Sequence, residues 1–264
     1  MGLNPEGDSI ANLTEVLDMY GFSSGIITTD QLTGATPSAF YAHHSERDDS
    51  ADIAAWLPKS KLDLFIGGGE ATFLEQMDEL EMSGFSLLKS QGEISSSSAK
   101  KVGYFASDGS LPSFQNGRGD YLTETAVQAT QFFLKKKSPF FLMIESGMID
   151  SGGHGNNTSM IVTEMLDFDE AIGKMIHFVD QNPGTLLIIT ADHETGGVSI
   201  PQGNVKSGEV ELAYHSDDHT GIMVPIFAYG AHSGDFRGVY ENTEVFEKLI
   251  RLVEFYYSGN KWNK

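Results

Sequence analysis

The sequence contains no cysteine, which removes disulfide bonds and thiolate metal ligation together. Any metal must then be held by oxygen and nitrogen ligands, while the redox compartment stays open. No run of about 18 apolar residues occurs, so no segment has the length and apolarity of a membrane-spanning helix. The opening residues Met1-Gly2-Leu3-Asn4-Pro5-Glu6-Gly7-Asp8 are neither basic nor apolar and are not expected to act as a signal peptide. Basic residues are scarce as well, 17 Lys and Arg against 37 Asp and Glu, for a net charge of −20. That balance argues against nucleic acid, which selects a basic footprint, and against anionic membrane surfaces. It does not exclude an anionic substrate, because bound cations can dominate the local field.

What is present is length and apolar content, 264 residues of which 40% are hydrophobic. This is enough for one substantial core, and a single domain over residues 1–264 is expected. Helical spacing of Ile10, Leu13, Val16, Leu17 and Tyr20 predicts a helix over residues 9–20 with Ser9 as N-cap. A short strand over residues 24–29 follows, then a helix over 38–44 opened by Pro37. Further helices are predicted over 49–57, 70–82, 121–136 and 242–257. Strands are predicted over 62–66, 85–89, 102–105, 140–144, 185–190 and 222–229. Residues 91–101 and 106–120 lack periodicity and read as surface excursions. Ile161, Met165, Phe168, Ile172, Met175 and Val179 repeat at four and three, which predicts a long helix with that stripe in the core. Strands alternate with helices throughout, so the expected class is α/β with a mostly parallel sheet and helices on both faces.

Two apolar strands run into chemistry. Phe140-Phe141-Leu142-Met143-Ile144 empties into Glu145 and, across Gly147, into Asp150, Gly152, Gly153 and His154, a stretch read as a glycine-loosened loop. Leu186-Leu187-Ile188-Ile189 empties into Thr190-Ala191-Asp192-His193. An open α/β sheet builds its sites at such carboxyl ends. Among the eight histidines, His154, His193 and His219 each have an aspartate adjacent or close in sequence. Taken singly each is a surface residue, but three in this pattern point to a shared site. His177 reads as a packed or half-exposed helix residue, and His43, His44, His215 and His232 are undecided. Carboxylates and imidazoles without sulfur suit zinc with a harder neighbour such as magnesium. Two cations a few ångströms apart would clamp both oxygens of a phosphoryl transfer. Arg47 could add a bidentate fork for the phosphate, although alone it reads as a surface arginine.

These residues resemble the alkaline phosphatase family. Thr28-Thr29, Ala35-Thr36-Pro37, Ala42-His43 with Arg47, Gly67-Gly68-Gly69, Glu145 to Asp150 and His154, Thr190-Ala191-Asp192-His193, His219-Thr220-Gly221 and Ala228-Tyr229-Gly230 stand in family order. The resemblance, of the bacterial type, covers nearly the whole chain. It implies two zinc ions, one on Asp150, His154 and His219 and the other on Asp192 and His193, with magnesium on Glu145 and Thr36 and substrate phosphate on Arg47. The implied reaction is hydrolysis of phosphate monoesters through a phosphoserine. A homodimer in a periplasmic or extracellular location is implied for the intact protein.

The chain departs from the family at Gly34, where many bacterial members have a carboxylate near the magnesium, and at Ser151, where some have lysine or histidine. Residues 194–218 are too short for the elaborate insertion of animal members. In the family the nucleophilic serine follows an aspartate in an Asp-Ser-Ala segment that, with a metal-bridging aspartate, precedes the part matched by residues 2–7. The implied chain is therefore an N-terminally truncated one lacking that serine, that aspartate and some strands of the sheet. Asp49-Ser50-Ala51 copies the three letters but is read as a helix start. Two alternatives stand beside this one: a relative of phosphodiesterases or cofactor-independent phosphoglycerate mutases, and a non-catalytic remnant that binds metal or phosphate.

Overall fold

The apolar run beginning at residue 24 becomes β1 (Ser23–Gln31), whose first seven residues are buried in the computed structural model, which describes residues 1–258. Around it assemble β2 (Leu64–Gly68), β3 (Phe85–Leu87), β4 (Lys101–Ser107) and β5 (Phe140–Glu145). All pair in parallel, in the order β3-β4-β2-β1-β5. Parallel neighbours need crossovers. Those here carry α2 (Ala35–Ser38), α3 (Ser50–Ala54), α4 (Met77–Met82) and α5 (Tyr121–Lys136), with α1 (Leu13–Met19) preceding the sheet. Helices α1 and α5 pack on β1, and α4 packs on β3. The core holds Ile26, Leu57, Phe65 and Phe73, all fully buried. Packing there is close enough that a Cβ on Gly103 would lie 2.1 Å from the Phe65 ring. The class is α/β with a mostly parallel central sheet, as the alternation of elements predicted.

Local chemistry moves several boundaries. The first helix is capped by Asn12 rather than Ser9, because Asn12 accepts the Glu15 N–H while Glu15 returns to the Asn12 N–H. Ser9 instead bridges to Leu3. The helix expected over 38–44 lies one turn earlier, since proline is tolerated in a first turn and Pro37 falls inside α2. Asp49 caps α3 by accepting the Asp52 N–H at 3.3 Å, which is the helix-start role expected for Asp49-Ser50-Ala51.

By its contacts the chain divides into two compact units, Met1–Gly147 and Met148–Lys264. The second contains α6 (Met148–His154), α7 (Thr158–Gln181), β6 (Leu186–Thr190), β7 (Glu194–Thr195), β8 (Ser199–Asn204), β9 (Glu209–Ala213), β10 (His219–Thr220), β11 (Ile226–Gly230) and α8 (Glu244–Tyr257). Its strands form three antiparallel pairs, β6 with β11, β7 with β10 and β8 with β9. The strand expected over 222–229 begins only at Ile226, leaving Ile222 and Met223 exposed.

Two expectations are corrected here. The stretch after Gly147 is helical rather than a loop. Helix α7 keeps Met175 and Val179 of the expected stripe in the core but not Met165. Glu164, Asp167, Ala171, Met175 and Val179 are buried, while Met165 is 48% exposed. Both buried carboxylates have interaction partners, which removes the penalty that an apolar stripe would otherwise avoid. No described helix is long and apolar enough to cross a membrane.

Candidate metal centre

In the first unit, β5 delivers Glu145 opposite Thr28 of β1. The Thr28 hydroxyl donates to Glu145 Oε2 at 2.5 Å, and the Gly147 N–H donates to Thr29 Oγ1 at 3.0 Å. Thr36 is half-buried in α2. Arg47 is two-thirds exposed, with Nε 3.9 Å from Asp48 Oδ1. Neither Thr36 nor Arg47 touches Glu145 in any hydrogen bond or ion pair described. His43 is buried with both ring nitrogens engaged, Nδ1 with Gly2 O at 2.8 Å and Nε2 with Glu15 at 3.1 Å, so it has no free ligand atom.

In the second unit, helical geometry brings Asp150 and His154 to one face at i, i+4. His154 Nε2 lies 3.4 Å from Asp150 Oδ2. Glycine is required beside them. A Cβ on Gly152 would meet Ile161 at 2.9 Å, and one on Gly153 would meet Thr195 at 2.8 Å. Strand β6 ends just before Asp192 and His193, whose Oδ2 and Nε2 are 3.3 Å apart. The two-residue pairing of β7 with β10 then sets Thr195 opposite His219 and Glu194 opposite Thr220.

Glu194 fastens this ribbon by accepting the N–H groups of Gly197 at 3.1 Å and Val198 at 2.8 Å and the Thr220 hydroxyl. Burial pushes its carboxyl upward, but the hydrogen bonds from Thr220, Val198 and Gly197 and the neighbouring His193 outweigh that and hold it below the ordinary carboxylate range. The His219 and His193 rings stack at 3.5 Å.

Asp150, His193 and His219 offer ligand atoms that all lie within 4.8 Å of one another, and so do His154, Asp218 and His219. Zinc bonds of about 2.0–2.2 Å in a tetrahedron place neighbouring ligand atoms roughly 3.3–3.6 Å apart. His154 to Asp150 at 3.4 Å, His219 to Asp150 at 3.6 Å and His193 to Asp192 at 3.3 Å match that spacing. His154 Nε2 and His219 Nε2 are closer, at 3.1 Å.

Proton placement points the same way. The Asp217 carbonyl can only accept, so His154 Nδ1, 2.7 Å away, carries the hydrogen. In the neutral form of the ring that leaves the lone pair on Nε2, the nitrogen that faces Asp150 and His219 and that a cation could take up. Oxygen and nitrogen donors in this geometry fit zinc.

The alkaline phosphatase family profile matches residues 1–213. The chain belongs to the alkaline phosphatase family. It is similar to Alkaline phosphatase 4 of Bacillus subtilis, 27% identical over 96% of this chain and 58% of that protein. To the alkaline phosphatase of Escherichia coli it is 24% identical, over 89% of this chain and 65% of the other. Among solved structures, the alkaline phosphatase from the Antarctic bacterium TAB5 superimposes with a TM-score of 0.89 at 33% identity, covering 100% of this chain and 79% of that one. A TAB5 variant with histidine 135 changed to glutamate, which has magnesium in its M3 site, gives a TM-score of 0.88 at 32% identity, with 100% and 79% covered.

Within this alkaline phosphatase chain, the residues singled out in the second unit, Asp150, His154, Asp192, His193 and His219, lie in two overlapping groups of ligands or beside them. Glu145 belongs to no group of three or more histidine and carboxylate ligands among the described residues. Sequence reasoning did not single out Asp218, Glu194 or Thr195. Asp218 carried a signal, standing directly before His219, whose N–H it accepts at 2.8 Å. Glu194 and Thr195 follow Asp192-His193 but gave no sign of their role, which depends on pairing with residues 219–220.

Proposed function

We propose that this chain holds the metals and the phosphate of a metal-dependent phosphate monoester hydrolase. The observation that supports this most is the pair of ligand groups sharing His219, Asp150 with His193 and His154 with Asp218, in which imidazole nitrogens lie at tetrahedral-site spacing from Asp150. Asp150, His154 and His219 would hold one zinc, Asp192 and His193 a second, and Glu145 with Thr36 a magnesium. Bound there, the cations would supply Lewis-acid stabilisation of the attacking and leaving oxygens. The magnesium held by the TAB5 variant supports magnesium as one of the metals.

The chain's own residues prepare these ligands within each unit. Asp217 O fixes which nitrogen of His154 is free, and the Thr28 hydroxyl holds the Glu145 carboxylate. Arg47 leaves its guanidinium largely in solvent, open to two phosphate oxygens. Asp49 uses its carboxylate on the Asp52 N–H, so Ser50 serves as the first residue of α3 rather than as a nucleophile. On this reading the ligands and Arg47 contribute binding and electrostatics, and Ser50 contributes no nucleophile. The protein would be a homodimer in a periplasmic or extracellular location.

The test is hydrolysis of a chromogenic phosphate monoester with zinc and magnesium supplied, alongside binding of inorganic phosphate. Metal-dependent phosphate binding with turnover far below that of an intact alkaline phosphatase is expected. Turnover approaching the intact enzyme would show that residues 1–264 hold the nucleophile after all. Failure to bind metal or phosphate would remove the proposed role.

A further inference from the structure

We propose that Thr195 is a positioning residue whose single hydroxyl orients Asp150 and selects the ring tautomer of His193. The inference rests on the metal-ligand roles proposed for Asp150 and His193, and it concerns how they are prepared.

Thr195 Oγ1 lies 2.5 Å from Asp150 Oδ1 and 3.2 Å from His193 Nδ1. A hydroxyl has one proton to give and two lone pairs with which to accept. An ionised carboxylate only accepts, so the proton goes to Asp150. Only lone pairs then remain toward His193, so the ring must donate, and Nδ1 carries its hydrogen. In its neutral form the imidazole is then left with its lone pair on Nε2, 3.3 Å from Asp192 Oδ2. Two acceptors face each other there, which is favourable when a cation lies between them. Without the hydroxyl the ring is free to take the other tautomer, in which Nε2–H donates to Asp192 and no lone pair is left for a metal. One hydroxyl thus prepares a ligand of each proposed zinc.

The backbone holds Thr195 where this works. It pairs with His219 across β7 and β10, next to the ribbon fastened by Glu194. Helix α6 comes close enough for Asp150 to reach it only because residue 153 is glycine. A Cβ there would lie 2.8 Å from the Thr195 Cβ and 2.9 Å from its carbonyl oxygen. Partners that orient metal ligands in this way typically change metal affinity about 10–100-fold when removed.

The test compares the whole chain with Thr195→Val, which keeps the shape and loses the hydroxyl, and Thr195→Ser, which restores it. Ring 15N chemical shifts, recorded without metal at a pH where the imidazoles are neutral, read the His193 tautomer. Competition with a chromophoric chelator reads cobalt(II) and zinc affinity. The wild type and Thr195→Ser are expected to show the Nδ1–H tautomer, and Thr195→Val a shift toward Nε2–H with metal binding weakened about 10–100-fold. An unchanged tautomer and unchanged affinity in Thr195→Val overturn the proposal. If Thr195→Val does not fold, the His193 tautomer of the wild type decides, and an Nε2–H ring there overturns it. If the tautomers behave as expected but no variant binds metal, the positioning role stands and the proposed metal centre fails, so the two are separable.

Discussion

The five-stranded sheet of the first unit and the ligand-bearing ribbons of the second are held together by different physics. At the centre of β1 and β2 apolar side chains are fully buried, with Ile26, Ile27, Leu64 and Phe65 at 0% exposure, and the threonines at the end of β1 are buried with them. Around β7 and β10 the strands are two residues long and the histidines half-exposed or exposed. Order there comes from Glu194, Thr195 and Thr220 bonding across the ribbon and into α6. Burial supplies stability without needing particular atoms, whereas the ribbon depends on individual donors and acceptors. The apolar centre of the sheet is therefore tolerant of polar detail, and the histidine-bearing ribbon is not.

The largest effect should come from breaking the sheet. Phe65→Ala, at the centre of a packed aromatic cluster, is expected to cost about 3–5 kcal/mol in urea unfolding, while leaving the ligands of the second unit unaltered. Glu194→Ala strands two backbone N–H groups and a hydroxyl and should cost roughly 1–3 kcal/mol. Its signature should be local, as faster amide exchange at Gly197 and Val198, and uniform protection would contradict the clasp assigned to Glu194. Asp49→Ala should lose about 1 kcal/mol of helix capping. Ser50→Ala should change neither stability nor phosphate binding, and a loss of ester turnover in that variant would overturn the reading of Ser50 as a helix residue rather than a nucleophile. Smallest of all, Arg47→Ala should leave stability within about 0.5 kcal/mol. A weakened response to inorganic phosphate is the expected readout in that case.

The same contrast explains what was legible in the sequence. Strands β1, β2, β4, β5 and helix α5 were visible because burial writes itself as apolar runs and stripes. Helix α6 was read as a loop because Gly152-Gly153 weakens helix propensity. That pair is instead what lets α6 approach Ile161 and Thr195. The inward face of α7 was misassigned at Met165 because Glu164 and Asp167 are buried with partners, and hydrophobic spacing cannot register that. Strand β8 is wholly exposed and carries no alternation, and the alternation of Glu209-Val210-Glu211-Leu212 in β9 spans too few residues to stand out. Asp150, His154, His193 and His219 were found by residue type and by their place after apolar strands or directly before another strand. Thr195 and Glu194 were not, since their partners lie across a pairing that no local pattern announces.

The central claim is that Asp150, His154, His193 and His219 form a metal centre, and stability measured as a function of zinc concentration tests it most directly. Binding to the folded state alone should raise unfolding free energy by about 2.7 kcal/mol at a hundredfold excess over the dissociation constant. The chain is expected to show that rise, and Asp150→Ala combined with His219→Ala to lose it while keeping the unfolding midpoint of the metal-free protein. Equal zinc stabilisation in the double variant, or none in the parent chain, would contradict the assignment.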